Sequence, residues 1–146
     1  LPAERVARVV HLPELARPPA GPPLLAGFLV RADGIVPVVR GARILGLGET
    51  ATGLYTPLLL LAGGGGPLAL LVDAVDAVVH LDDGALRPVV PGATLNGCVA
   101  AEWSRQGATV HLLDADRLLL RQEEERLRQL AEQVRRRLGD LPGGDA

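Results

Sequence analysis

Few residues of this chain could do chemistry, and none stands at a spacing that calls for it. His80 precedes Asp82 and Asp83, and an imidazole nitrogen with two carboxylates could hold a divalent metal. The same text reads more simply as a strand end followed by an acidic turn, which is the expectation. Gly63 to Gly66 could cradle a phosphate, but no Gly-Lys-(Ser/Thr) follows, and the run leads into an apolar strand instead of a helix. A hairpin turn is expected there. Ser104 is the sole serine and lacks the Gly-x-Ser-x-Gly surroundings of an exposed nucleophile. Asp73 and Asp76 fall on opposite faces of a strand, so they do not form an acid–base pair. Cys98, the one cysteine, sits in an apolar run and reads as a buried structural thiol. It allows no disulfide framework, which fits the cytosol. No catalytic residue, cofactor or metal site is expected, and the chain reads as a binding or scaffold protein.

The elements that would position a binding surface come twice. Ile35-Val-Pro-Val-Val-Arg-Gly-Ala-Arg-Ile-Leu45 and Thr109-Val-His-Leu-Leu-Asp-Ala-Asp-Arg-Leu-Leu119 share an apolar strand, a polar break and an Arg-(Ile/Leu)-Leu helical turn. Each follows a turn, Asp33-Gly34 or Gln106-Gly107. Each turn follows an apolar run that begins at a glycine, Gly27-Phe-Leu-Val30 or Gly97-Cys-Val-Ala100. Two copies of one strand-turn-strand unit predict two similar barrels or sheet lobes packed together.

Composition bounds the rest. The 146 residues are 48% hydrophobic, enough for one domain or for two small lobes sharing a core. Trp, Tyr and Phe occur once each, so Leu, Val and Ala must build that core. Every basic residue is Arg, a mark of GC-rich coding. The net charge of −2 gives no electrostatic case for nucleic acid. Thr50 to Val72 carries no charge, but Pro57, Gly63 to Gly66 and Pro67 break it into runs far shorter than the roughly 20 residues of a spanning helix. No membrane insertion is expected. Leu1 is not an ordinary start, so the chain is expected to be a fragment, whereas the Gly-Gly-Asp-Ala tail after Pro142 reads as a natural end.

Along the chain, Val6, Val9 and Val10 mark a first strand, and the proline-rich Leu12–Pro23 a surface loop. Leu24–Arg31 and Ile35–Val39 form a hairpin through Asp33-Gly34. Pro37 suggests an edge, or a ladder position that needs no N–H. Gly48–Gly53 reads as an inter-lobe linker. Leu58–Ala62 and Leu68–Val72 form a second hairpin. Val75 to Leu81 alternates with period two and predicts a half-buried strand. Leu95–Ala101 and Thr109–Leu113 form the repeat's second hairpin, with Trp103–Gly107 between them. From Asp116 the period becomes helical, with Leu120, Leu127, Leu130, Val134 and Leu138 on one stripe. Asp114 or Asp116 would cap this helix, Glu124/Arg128 and Glu132/Arg136 would brace it, and Gly139 and Pro142 would end it. A helix over 116–138 would be about 34 Å long.

The ordered series Leu1-Pro-Ala-Glu-Arg-Val-Ala-Arg-Val-Val10, Leu25-Ala-Gly-Phe-Leu29, Ile35-Val-Pro-Val-Val39, Leu70-Leu-Val-Asp-Ala-Val75 and Val110-His-Leu-Leu-Asp-Ala-Asp-Arg-Leu-Leu119 resembles the CheW-like domain, the receptor–kinase adaptor of bacterial chemotaxis. The resemblance runs from Leu1 to about Leu120. It implies a mainly β fold of two intertwined five-stranded barrels over 1–120, lobes of roughly 1–50 and 51–120, then the C-terminal helix and a flexible tail over 139–146. It implies a cytoplasmic, non-catalytic scaffold with two partners, the regulatory domain of a CheA-type histidine kinase and the cytoplasmic tip of a chemoreceptor. The family's opening strand would precede Leu1. Contact residues carried over by position are Arg8 and Ala32 on one lobe, with Leu58, Val75 and Val78 on the other. Two of these depart from the family pattern. Arg8 stands where an acid is common, and Ala32 where the family has arginine. Losing both partners of an ion pair leaves no lone charge but changes what the surface recognises. Arg40 likewise replaces an aspartate that the second repeat keeps as Asp114. The resemblance also fits a regulatory domain within a larger kinase or receiver-linked protein, or a diverged paralogue that scaffolds another sensory pathway.

Overall fold

A computed structural model describes residues 1–48, 51–89 and 97–139. A 3-10 turn at Ala3–Arg5 leads into β1 (Val6–His11); β2 (Leu25–Arg31), β3 (Gly34–Arg40) and a short helix α1 (Gly41–Ile44) follow. Next come β4 (Pro57–Leu61), β5 (Leu68–Leu71), β6 (Arg87–Pro88), β7 (Val99–Arg105), β8 (Ala108–Leu113) and the helix α2 (Arg121–Gly139).

The strands make a five-stranded sheet in the order β1-β4-β5-β3-β2 and a three-stranded sheet in the order β6-β7-β8. Among the described strand pairs only β3 and β5 run parallel. The two five-stranded barrels that the resemblance implies are not found as closed barrels among the described residues. Closure needs every edge paired, and two elements fail to supply partners. The expected strand Val75–Leu81 joins no ladder and forms no described strand, and β6 is two residues long. Strands from both sides of residue 50 share the larger sheet. Glu49 and Thr50 of the expected linker, Leu95 and Asn96 of the expected strand, and the tail from Asp140 lie outside the described residues.

The duplication is real and runs in register. β2–β3 and β7–β8 superimpose at one constant offset: Leu25↔Val39 matches Val99↔Leu113, and Arg31↔Gly34 matches Arg105↔Ala108. Each pair carries an irregularity at its start, after Leu25 and after Val99. The Arg40 amide donates to the Leu24 carbonyl as the Asp114 amide donates to that of Cys98. Both units then turn helically and bury a leucine or isoleucine, Ile44 and Leu118. At this offset Gly27 corresponds to Ala101, not to Gly97.

Turn chemistry explains the hairpins. Gln106 and Gly107 both have positive φ, 52° and 81°, as the tight two-residue hairpin requires. In the first unit the turn residues are Ala32 and Asp33, because Gly34 already pairs with Arg31. The turn thus lies one residue earlier than the Asp-Gly signal suggested. Pro37 sits in an interior strand, opposite Phe28. The Phe28 amide and carbonyl both bond Ala16 on the far side, so the 28–37 position exchanges no ladder bonds with β2; Pro37's missing N–H faces β5, where the described pairing begins only at Val38–Ala69. Trp103 lies inside β7, which continues to Arg105.

The sheet is buried on both faces where β4 and β5 run. Leu58, Leu60, Ala69 and Leu71 pack with Val36, Val38 and Ala26 on one face. Leu59, Leu70 and Val39 pack on the other with Ile44, Cys98, Leu118 and Leu127, joining the second unit to the first. An unbroken leucine run is what a strand buried on both faces looks like. Helix α2 covers the β2–β3 end, with Leu130 and Val134 against Phe28 and Ile35. It has 19 residues, about 28 Å, and starts later than expected. Asp114 accepts from the Asp116 amide at 2.9 Å and caps a separate 3-10 turn, Ala115–Arg117. The helix itself starts where Glu123 accepts from the Leu120 amide at 2.7 Å. Arg128 pairs with Glu125 at 2.7 Å instead of Glu124, while the Glu132–Arg136 pair forms at 3.6 Å.

Candidate functional site

The five contact residues expected from the sequence are placed unequally. Arg8 lies exposed on β1, and Ala32 exposed in the β2–β3 turn. Val75 and Val78 stand in the exposed segment after β5, with Val78 84% exposed. Leu58 has no exposed surface: it faces inward from β4 into the core, because the residues opposite it, Val10 and Leu71, lie on strands at either side. A side chain with no surface cannot touch a partner, so Leu58 belongs to the scaffold.

The segment after β5 is unusual. Every residue from Asp73 to His80 is exposed, although five of the eight are Ala or Val. A run of strand-forming apolar residues left in water marks a surface that is covered in use. The alternation that suggested a half-buried strand is present, but its burying partner is absent among the described residues. Tyr55 and Leu54, 79% and 81% exposed, add a second apolar site beside β1. The Tyr55 ring meets that of His11 edge to face, with centroids 5.4 Å apart. The sequence hid this site, since neither residue belongs to a periodic element.

A second feature is a groove of about 750 Å³ between α2, β3 and the glycine turn joining β4 to β5. Ile35, Pro37, Leu61 and Leu127 give it an apolar wall. Two ion pairs line it: Arg5 donates to Asp116 at 2.8 Å and to the Ala62 carbonyl at 2.7 Å, and Arg135 meets Glu132 at 3.2 Å. The hydrogen bond from Arg5, aided by its charge, holds the Asp116 carboxyl below the usual range, while Asp116 raises Arg5 further. A carboxyl held ionised is a poor general acid, and no histidine, cysteine or hydroxyl side chain lines the groove.

The other chemical candidates stay apart. His80 comes within 3.9 Å of Asp82, but both side chains are almost fully exposed, and the side chain of Asp83 lies outside the described residues. No group of three or more His, Cys, Asp or Glu among the described residues could hold a metal. Gly63 to Gly66 form the expected turn, with φ of 76° and 75° at Gly63 and Gly64. Cys98 is fully buried, and burial pushes its thiol up. Among the described residues no helix is long and apolar enough to cross a membrane.

What these sheets and surfaces resemble is specific. The sequence model of the CheW-like domain matches residues 1–123, a span that holds both copies of the repeated unit. In fold the chain is similar to the scaffolding protein TtCheW from Thermoanaerobacter tengcongensis, with a TM-score of 0.71 and 19% identity over 82% of each chain. No curated protein matches it.

Proposed function

This chain belongs to the CheW-like domain family, and from that membership we propose that it is a non-catalytic adaptor of a chemotaxis-type signalling pathway. In this reading it works in the cytoplasm, where one surface takes the regulatory domain of a CheA-type histidine kinase and another takes the cytoplasmic tip of a chemoreceptor. The observation that carries the reading is the family match across both repeated units. The exposed apolar run Asp73–His80 supports it, because an adaptor needs surface that is buried only in complex. Val75 and Val78 are the contacts we assign to that run. Arg8 and Ala32 form the second contact region. The positive charge at Arg8 favours an acidic partner site and penalises a basic one.

Calorimetric titration with the regulatory domain of the cognate kinase, and then with a receptor tip, tests the proposal. Binding to both establishes a linking adaptor. Binding to the kinase alone makes the protein a cap that occupies kinase sites without recruiting receptors. A folded protein that binds neither sinks the adaptor reading and leaves the fold.

A further inference from the structure

We propose that two copies of this chain pair by strand exchange, the segment Asp73–His80 of one protomer adding as a new strand to the open edge of β1 in its partner. This stands on geometry and charge, and it uses Arg8, Val75 and Val78, the residues that the adaptor reading gives to the partners, so pairing and partner binding would be alternative states of one surface.

Among the described residues each half of the ladder is present and unfilled. On the donor side, Asp73 to His80 is exposed throughout and belongs to no described helix or strand, with Val75, Val78 and Val79 at 48%, 84% and 37%. Strand-forming apolar residues left bare invite non-specific association. On the acceptor side, β1 is an edge strand of the five-stranded sheet. The Leu12 amide bonds the Thr56 carbonyl toward β4. Antiparallel ladders alternate, so the amides and carbonyls of Val9 and His11 point to the open side. No described strand meets them there. The Val9 side chain, 50% exposed, offers an apolar cross-strand contact for the donor valines.

Charge selects a second copy as the occupant. The donor segment and its end carry Asp73, Asp76 and Asp82 and no arginine, whereas β1 carries Arg8 and His11 and no acid. Within one chain the two do not meet, since Val78 stays almost fully exposed. Because donor and acceptor lie on the same molecule, one two-fold axis fills both edges at once and closes the assembly at a dimer.

Sedimentation of the whole chain over a concentration series tests this. The expected result is a monomer–dimer equilibrium. Arg8→Glu and Asp76→Arg, each still folded by circular dichroism, should each weaken it by about tenfold. The double variant, which restores opposite charges across the ladder, should recover wild-type association. Amide exchange at Val9 and His11 should slow in the dimer. A chain that stays monomeric throughout, single variants that dimerise as tightly as wild type, or a double variant no better than the singles overturns the proposal.

Discussion

The guanidinium of Arg5 and the carboxylate of Asp116 meet at 2.8 Å directly over the Cα of Gly64. This one bridge ties the entry to β1, the β4–β5 turn and the turn after β8, three places far apart in the chain. A Cβ built on Gly64 would stand 2.8 Å from the Arg5 nitrogen and 2.9 Å from the Asp116 oxygen, and Gly64 has φ of 75°. The glycine run is thus more than a loose turn: one of its members keeps space for an ion pair.

Gly64→Ala should therefore destabilise by about 1–2 kcal/mol through left-handed strain, and by more if the bridge is pushed apart. Gly65→Ala is the control. Its Cβ meets nothing within 4 Å, so the change should be neutral or slightly stabilising by restricting the unfolded chain. Urea unfolding of the two variants decides it; equal midpoints would mean that the space over Gly64 is not needed.

The same bridge sets a pH dependence. Asp116 is held below its usual range by the Arg5 hydrogen bond and charge, so its folded pKa lies under the unfolded one. Its contribution is complete above the unfolded aspartate pKa and is lost as pH falls through the lowered value. Asp116→Asn should be less stable than wild type at neutral pH, and the gap should close in acid. Both side chains are partly exposed, so the gap is small and salt should shrink it. A gap that stays constant from neutral pH into acid would show that the pair is not pH-linked.

Much of this architecture is legible in the sequence because it rests on local chemistry. Gln106-Gly107 fixes its hairpin, the two leucine-rich runs pair as the expected second hairpin, and the repeat predicts two alike strand-turn-strand units. What fails is non-local. Alternation in Val75–Leu81 says that one face could be buried, but not whether a partner strand arrives. The same gap leaves the barrels unclosed among the described residues, since closure depends on edges that no periodicity reports. The helix start moved because Asp114 spends its carboxylate on a 3-10 turn, and only geometry shows which orphan amide a cap satisfies. Of the expected contacts, Leu58 failed for a related reason: within the run Leu58-Leu59-Leu60, an apolar type cannot tell core from interface.

Helix α2 should prove part of the fold. Leu130 is 2% exposed and packs on Phe28 and Ile35. Leu130→Ala should cost about 2–5 kcal/mol, while exposed Gln129→Ala on the same turn should stay within about 0.5. If Leu130→Ala unfolds at the wild-type denaturant concentration, the helix is an appendage and its packing contributes nothing.

Cys98 reports on opening. It has no exposed surface, packs beside Leu118 and Leu127, and burial raises its thiol pKa. At about pH 8 a thiol-reactive dye should label it only as fast as the native protein opens, and at once in denaturant. Immediate labelling of the native chain would place Cys98 at the surface and break the contact between the two repeated units.

Val78 and Leu58 separate binding from folding. Val78 is 84% exposed and Leu58 is 0% exposed. Val78→Arg removes no core contact, so its unfolding free energy should stay within about 0.5 kcal/mol of wild type. If Val78 lies in the kinase contact, a buried arginine without a partner should weaken binding by tenfold or more. Leu58→Ala should do the reverse: a loss of about 2–5 kcal/mol in stability, with unchanged affinity per folded molecule. Calorimetric titration beside urea unfolding reads both quantities. Unchanged kinase affinity in Val78→Arg would remove Val78 from that contact. Weaker binding by folded Leu58→Ala would mean that the sheet core transmits its packing to the surface.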